Sequence, residues 1–197
     1  MRLTTALLLL AASSLHAQRH ARGPIWYSRS MLRELTGNPA PDSLVLLAIG
    51  TNPESLSVVF QIFLGRRLVF EDRWSSSAYF AYLTPIDTIP VSTRAQIVRD
   101  ELLQFFLPDR FGTVDTLLTA TREDPRGTMA SHFEIGRRSP TYQRSPMADS
   151  TVTPEQIWEE LKQRRPPTFR LFEGGEDSRW ITWSQRAHRF VVTDACC

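Results

Sequence analysis

The side chains with the greatest chemical reactivity are two adjacent cysteines at the end of the chain. Cys196 and Cys197 are the only cysteines among the 197 residues. The Cα atoms of trans neighbours lie about 3.8 Å apart, below the usual disulfide range of about 4.4–6.8 Å, so a bridge between them is strained. Three states stay open: a vicinal bridge, a disulfide to another chain that yields a dimer or tethers a partner, and a tail with thiols of no fixed role. A redox enzyme is disfavoured, because its two cysteines are usually two residues apart at a helix start.

Histidines offer few ways to bind a metal ion. Only His20, His132 and His188 remain once the predicted signal peptide at residues 1–17 is removed, and no two of them lie within a helical turn in sequence. Zinc sites usually draw on several His or Cys ligands at short spacings. We therefore expect neither a metal site nor a cofactor.

Motifs of known catalytic sites are absent from the sequence, including the nucleophile elbow, the P-loop, the dinucleotide fingerprint and the zinc-protease motif. His188 lies near Ser184 and Asp194 in sequence. These three residue types can form a nucleophilic triad, but a solvated turn histidine is the simpler interpretation. Whether the protein is an enzyme stays open, and a protein without catalytic activity is favoured.

Two tryptophans near the C-terminus give the strongest indication of binding. Trp180 and Trp183 are an odd number of residues apart, so on a regular strand they point to opposite faces. If one face is uncovered, an exposed ring beside Arg179 or Arg186 suits a sugar, an aromatic ligand or a protein partner. If a helix covers that face, or a bulge turns both rings inward, both are core residues, which is the favoured alternative. With His188 these residues form the candidate binding set.

The N-terminus has the three parts of a secretory signal peptide. Arg2 precedes an apolar run at residues 3–12, and a region of small residues ends at Ala17. The run is about half the roughly 20 residues that a membrane-spanning helix needs. We therefore expect removal of residues 1–17, a secreted or periplasmic bacterial protein without stable membrane insertion, and a single globular domain over residues 18–197.

The basic residues are almost all arginines. Lys162 is the only lysine, and the formal net charge is +2. Arginine suits bidentate binding of anions, but codon usage in a GC-rich genome is the favoured explanation. The arginines are scattered without a basic stripe, so we expect no nucleic-acid partner.

The segment SLSVVFQIFLGRRLVFEDRW is predicted to be a β-hairpin. A three-residue loop over residues 65–67 sets Leu64 opposite Leu68 and leaves the polar residues of the segment on the other face. A two-residue loop slips the register and puts Gln61 beside Phe70. The three-residue loop is therefore preferred.

Capping boxes predict the starts of two helices, at Thr93 with Gln96 and at Thr153 with Gln156. Each helix is expected to end at a proline. A further short helix, closed by Gly37, is predicted for PIWYSRSMLRELTG.

The remaining strands complete the fold prediction. One strand is expected at residues 42–50, a hairpin turning at residues 123–127, and a C-terminal β-meander with strands TFRLFE, RWITWSQ and RFVVTD. Consecutive strands in hairpins, with helices between them, indicate an α+β fold. We expect a largely antiparallel sheet of hairpins with two main helices packed on it.

These observations favour an exported module without catalytic activity that binds an unknown protein or small ligand. Two alternatives are a hydrolase whose site is assembled from distant residues and a structural envelope component linked through its C-terminal cysteines.

Overall fold

The computed structural model describes residues 23–80, 88–114, 152–172 and 178–195. Within them lie two four-stranded antiparallel sheets and two α-helices. The predicted α+β fold of antiparallel hairpins is confirmed, with the strands divided between two sheets. The predicted signal peptide, the hairpin turning at residues 123–127, His20, His132 and both cysteines lie outside the described residues.

The chain forms two compact units. Of the described residues, 23–33, 40–80 and 88–106 belong to unit 1, and 34–39, 107–114, 152–172 and 178–195 belong to unit 2. The single domain expected for residues 18–197 stays a prediction.

The described residues of unit 1 form one sheet and one α-helix. The sheet follows chain order, with β1 at Ile25–Arg33, β2 at Asp42–Ile49, β3 at Ser57–Leu64 and β4 at Arg67–Ser75. Helix α1 spans Val91–Gln104. It begins at Val91, with Pro90 as an N-cap that makes no side-chain hydrogen bond. The predicted start at Thr93 was therefore wrong.

Strand β1 replaces the predicted short helix, and that prediction was wrong. β1 pairs with β2 from Ile25 opposite Ile49 to Arg33 opposite Asp42. All eight residues of β2 are buried, so its backbone polar groups need partners on both sides of the strand. A short isolated helix is only marginally stable in water. Pairing with β2 therefore outweighs the local helical preference.

The β3–β4 hairpin has the predicted register over most of its length but a different turn. Val58 lies opposite Trp74 and Ile62 opposite Phe70, as predicted. Closer to the turn the register shifts, so that Leu64 lies opposite Arg67 across a two-residue turn. The three-residue loop was therefore wrong. Val69 is the extra residue of a β-bulge, which restores the register that a two-residue turn otherwise slips.

The turn of this hairpin depends on Gly65, which has φ of +62°. A glycine at the first central position is typical of the type II′ turn, whose twist matches that of the strands. A Cβ added there meets no atom within 4 Å. Any loss of stability caused by a side chain at this position therefore comes from the backbone conformation and not from a steric clash.

We expect Gly65→Ala to lower the free energy of unfolding by about 1 kcal/mol, the usual penalty for an L side chain in the left-handed region. Urea unfolding followed by tryptophan fluorescence measures this change. Arg66→Ala in the same turn is the control and should leave the stability unchanged. Equal stability of Gly65→Ala and wild type would contradict the assignment of this turn.

The core of unit 1 is an aromatic cluster where α1 meets the sheet. The ring of Phe60 is fully buried, with its centroid 5.8 Å from that of Phe70, 5.0 Å from that of Phe105 and 6.1 Å from that of Phe106. All three pairs are edge-to-face, an arrangement that aromatic quadrupoles favour.

Side chains of β1 fix the end of α1. The Tyr27 hydroxyl donates to the carbonyl of Leu102 at 3.4 Å, and Arg29 Nη1 donates to the carbonyl of Leu103 at 2.7 Å. Carbonyls in the last turn of a helix lack intrahelical partners, so these bonds anchor the helix to the sheet.

The opposite face of the unit 1 sheet is buried as well. Its apolar residues form a second cluster, which contains Val45, Leu47, Ile49, Val59 and Phe63. The polar residues predicted to share this face do so: Gln61 donates to Glu71, which also accepts from Arg73 Nε at 2.8 Å. Burial on both faces explains why β2 and β3 are nearly continuous apolar runs.

Unit 2 contains the second sheet and the second helix. The sheet order is β5 at Phe111–Thr113, β6 at Pro167–Phe172, β7 at Ser178–Ser184 and β8 at Arg189–Ala195. The predicted C-terminal meander is therefore present as β6, β7 and β8. Helix α2 spans Pro154–Arg164.

Helix α2 begins as its sequence predicts. The side chain of Thr153 accepts from the N–H of Gln156, and the side chain of Gln156 accepts from the N–H of Thr153, which completes the capping box. Pro154 occupies the first turn, where its missing N–H leaves no bond unmade. The helix ends at Arg165, which has the left-handed conformation with φ of +47°.

Candidate functional site

Both tryptophans of the candidate set are buried. Trp180 is 8% exposed and packs in a cluster with α2 residues Ile157, Trp158 and Leu161. Trp183, on the opposite face of β7, is 4% exposed, and its ring centroid lies 5.3 Å from that of Phe190. A helix covers the face that carries Trp180. Neither ring forms an exposed binding surface.

Of the other three candidate residues, two lie in the turn between β7 and β8, at residues 185–188, and Arg179 lies at the other end of β7. Arg186 and His188 are exposed in this turn, while Arg179 lies on β7 opposite Asp194. Ala187 points inward and is fully buried in the α2 cluster. His188 has φ of +50°, a left-handed conformation that non-glycine residues seldom adopt. The turn therefore presents two basic side chains around a buried anchor.

The carboxylate of Glu160 on α2 holds this turn in place. Oε1 accepts from the N–H of Gln185 at 2.7 Å, and Oε2 accepts from the N–H of Arg186 at 3.1 Å. Oε2 also accepts from the hydroxyl of Ser184 at 2.6 Å. Ser184 Oγ in turn accepts from the N–H of Ala187 at 3.0 Å. Three backbone N–H groups of the turn are thus bound by one carboxylate and its hydroxyl partner.

Arg164 completes the ring of donors around Glu160. Its Nη1 lies 2.8 Å from Oε1, one helical turn along α2. Burial alone raises the pKa of Glu160, but the hydrogen bonds from Ser184, Arg164 and the N–H groups of Gln185 and Arg186 outweigh burial. They lower the pKa below the ordinary value of 4.5. Glu160 is therefore ionised at neutral pH.

The loop before β2 brings Gly37 to the same surface. Gly37 has φ of +73°, and a Cβ placed there would lie 3.6 Å from Arg164 Nη2 and 3.8 Å from Gln185 Nε2. The side chains of Arg164 and Gln185 therefore pack beside Gly37. We call Gly37, Arg164, Gln185, Arg186 and His188 the cationic turn surface.

Ser184, His188 and Asp194 are not assembled as a triad. Asp194 lies opposite Arg179, whereas Ser184 lies opposite Arg189 at the other end of the strand pair. Five residues of extended strand separate the two positions by roughly 17 Å. The hydroxyl of Ser184 is donated to Glu160 instead. The geometry gives Ser184 a structural role.

Glu160 was missed because it belongs to no catalytic motif. It does carry a positional signal: Ile157, Glu160, Leu161 and Arg164 recur at helical spacings of three and four, so they share one face of α2. A carboxylate on the apolar face of a helix needs buried donors. Arg164, four residues later on that face, is one donor that the sequence already indicates.

Further properties of the described residues bear on function. Among residues 23–80, 88–114, 152–172 and 178–195, no cluster of three or more His, Cys, Asp or Glu side chains could hold a metal ion. Neither α-helix in this part of the chain has the length and apolar character needed to cross a membrane.

In comparisons with known proteins, no family model, no curated protein and no solved structure matches the chain.

Proposed function

We propose that this chain is an exported binding module without catalytic activity, and that the cationic turn surface is its contact surface. The observation that supports the proposal is the use of a buried carboxylate, Glu160, to fix an exposed turn. Its acceptor capacity goes to the turn and to Arg164.

A fixed turn favours binding because less conformational entropy is lost when a partner docks. Arg186 and His188 are the exposed side chains that the fixed backbone carries. Arginine is enriched among the residues that dominate binding energy at protein interfaces.

The backbone of His188 supports the same conclusion. Residues held in sparsely populated conformations persist only where the surrounding structure determines them, and they cluster at functional sites. Here the determining contacts are the bonds to Glu160 and the burial of Ala187. Export is inferred from the signal-like residues 1–17.

Capture of a partner tests the proposal. Immobilised protein of residues 18–197 is incubated with the extracellular and envelope proteins of the producing bacterium, and bound proteins are identified by mass spectrometry. We expect a saturable partner whose retention falls about tenfold or more with Arg186→Ala and His188→Ala combined, as for loss of a charged contact at a hot spot.

The control replaces Arg66, in the β3–β4 turn, and Arg67, at the start of β4, with alanine, which removes two exposed basic residues. This variant should retain the partner at the wild-type level. Equal loss in both variants would show a non-specific charge effect. Retention by the Arg186 and His188 variant would remove this surface from the proposal, and the absence of any saturable partner would refute the binding function.

A further inference from the structure

We propose that Glu160 is an acid-sensitive switch of the cationic turn surface, in which uptake of one proton by its carboxylate releases residues 185–188 while β7 and β8 stay paired. The release of the turn is a property of the chain alone. Its consequence for binding, the loss of an ordered contact surface in acid, rests on the proposed function.

Both oxygens of the Glu160 carboxylate are occupied by hydrogen-bond donors. Oε1 accepts from the N–H of Gln185 at 2.7 Å and from Arg164 Nη1 at 2.8 Å. Oε2 accepts from the N–H of Arg186 at 3.1 Å and from the hydroxyl of Ser184 at 2.6 Å. An ionised carboxylate acts only as an acceptor, and hydrogen bonds to it are roughly twice as strong as those between neutral groups. The turn is therefore held by the charged form of Glu160.

Only one of these four donor groups can accept a proton from the carboxylate. At Oε1 the proton would face the N–H of Gln185 and the guanidinium of Arg164, and neither group has a lone pair to accept it. At Oε2 it can be donated to Ser184 Oγ, because a hydroxyl oxygen accepts as well as donates. The hydroxyl hydrogen of Ser184 then loses its acceptor on Glu160, and the N–H of Arg186 meets a neutral oxygen, which is a weaker acceptor. Protonation thus weakens every bond between Glu160 and the turn.

The charged and titratable side chains on the elements around Glu160 are mostly basic. In the described part of α2, the turn, the start of β8 and the loop before β2, they are Glu34, Glu159, Lys162, Arg164, Arg165, Arg186, His188 and Arg189. Glu159 pairs with Lys162, and Glu34 is exposed. Once Glu160 is neutral, its negative charge no longer offsets Arg164 and the basic side chains of the turn, which favours release.

The strands on either side of the turn are held by contacts that do not involve Glu160. β7 pairs with β8 over all seven of its residues. On the face toward α2, Trp180 and Val191 are buried in the apolar cluster of the helix. Within the turn only Ala187 is buried, and the other three residues are exposed. The order of the turn therefore depends on the bonds to Glu160 more than on packing, and we expect the turn to be released before the sheet.

The direction of the switch follows from the pKa of Glu160. Burial raises this pKa, but the hydrogen bonds from Ser184, Arg164 and the N–H groups of the turn outweigh burial and hold it below the ordinary 4.5. When the turn is released, those donors are lost and the pKa returns toward the ordinary value. The ordered turn is therefore fully favoured above about pH 5 and loses that advantage as the pH falls through the pKa of the ordered state.

NMR titration of the isotope-labelled chain of residues 18–197 between pH 7 and pH 3 tests the inference without a partner. We expect the amide protons of Gln185 and Arg186 to shift together with a single midpoint below pH 4.5. Over the same range the backbone order parameters of residues 185–188 should fall from about 0.85 to below about 0.6, the usual values for rigid and flexible backbone. The order parameters of β7 and β8 should stay at the rigid value.

Substitutions test whether Glu160 is the group that titrates. Arg164→Gln and Ser184→Ala each remove one donor to the carboxylate, so each should raise the midpoint toward pH 4.5. Glu159→Gln is the matched control on the same helix and should leave the midpoint unchanged, because Glu159 pairs with Lys162. Glu160→Gln should show a flexible turn at pH 7 and no titration of these amides.

Three results would overturn the inference: amide shifts of Gln185 and Arg186 that stay constant down to pH 3, an unchanged midpoint in Arg164→Gln and Ser184→Ala, or loss of order in β7 and β8 together with the turn. The proposed function is decided separately. A turn that is released in acid, with no partner captured at neutral pH, supports this inference and refutes the binding function. A captured partner, with a turn that stays ordered at pH 3, does the reverse.

Discussion

Glu160→Gln is expected to lower the free energy of unfolding of unit 2 by about 3 kcal/mol at pH 7, the scale of losing a buried, multiply hydrogen-bonded charge. The amide has one acceptor oxygen in place of two. In either of its two orientations, the amide places its NH₂ group against another donor. That donor is the N–H of Arg186 in one orientation, and the N–H of Gln185 together with Arg164 in the other. At least one buried donor therefore loses its partner.

Hydrogen exchange followed by mass spectrometry locates this loss. Peptides that cover β7, the turn and β8 should exchange much faster in Glu160→Gln than in wild type. Glu159→Gln is the control, because Glu159 is exposed and pairs only with Lys162 on the helix surface. Wild-type exchange at residues 185–188 in Glu160→Gln would contradict the anchoring role of the carboxylate.

The same carboxylate sets a pH dependence. The pKa of Glu160 is lower in the folded chain than the 4.5 of an ordinary glutamate, so the unfolded chain binds the proton first as the pH falls. The stabilising contribution is therefore complete above about pH 5 and is lost as the pH falls through the folded-state pKa. The stability difference between wild type and Glu160→Gln should accordingly shrink as the pH falls below about 5.

Phe60→Ala is expected to lower the free energy of unfolding of unit 1 by about 4 kcal/mol, as large-to-small changes of a buried phenylalanine do. Phe60 is fully buried, and its ring contacts those of Phe70, Phe105 and Phe106 edge-to-face. Both the transfer free energy of the ring and the cavity left among its neighbours contribute to the loss.

Urea unfolding monitored by near-ultraviolet circular dichroism measures the effect of Phe60→Ala. Phe60→Leu keeps most of the volume and should cost less than half as much. Phe111→Leu, at a position that is only half buried in unit 2, serves as a control outside unit 1. A loss below about 1 kcal/mol for Phe60→Ala would show that the site collapses without a cavity, contrary to the close packing of the cluster.

The pattern of apolar residues predicted the pairing of β3 and β4 better than the turn between them. Alternation over the whole length of both strands determines which residues face each other, and a slip of one residue would turn every side chain to the wrong face. The turn was wrong because a bulge at Val69 compensates for a shorter loop. A bulge carries no local signal when its flanking residues are all compatible with a strand.

Strand β1 and the anchor at Glu160 required tertiary information. The segment of β1 is compatible with helix or strand, and the demand of buried β2 for backbone partners decides between them. The position of Glu160 on the apolar face of α2 indicates a buried carboxylate, but its partners on the β7–β8 turn are 24 to 26 residues away in sequence. These partners of Glu160 can therefore be identified from the fold, but not from the pattern of residues around Glu160 in the sequence.

The link between Glu160 and the β7–β8 turn has a consequence for the order of folding. The β3–β4 turn closes with local residues and a glycine, so it can form early at little loop-closure cost. The β7–β8 turn donates its hydrogen bonds to a carboxylate on a helix that precedes it by more than 20 residues. A contact between residues far apart in sequence forms only after the intervening chain has closed into a loop, which costs conformational entropy. We therefore expect the ordered turn, with Arg186 and His188 in place, to form late in folding, when α2 docks on its sheet.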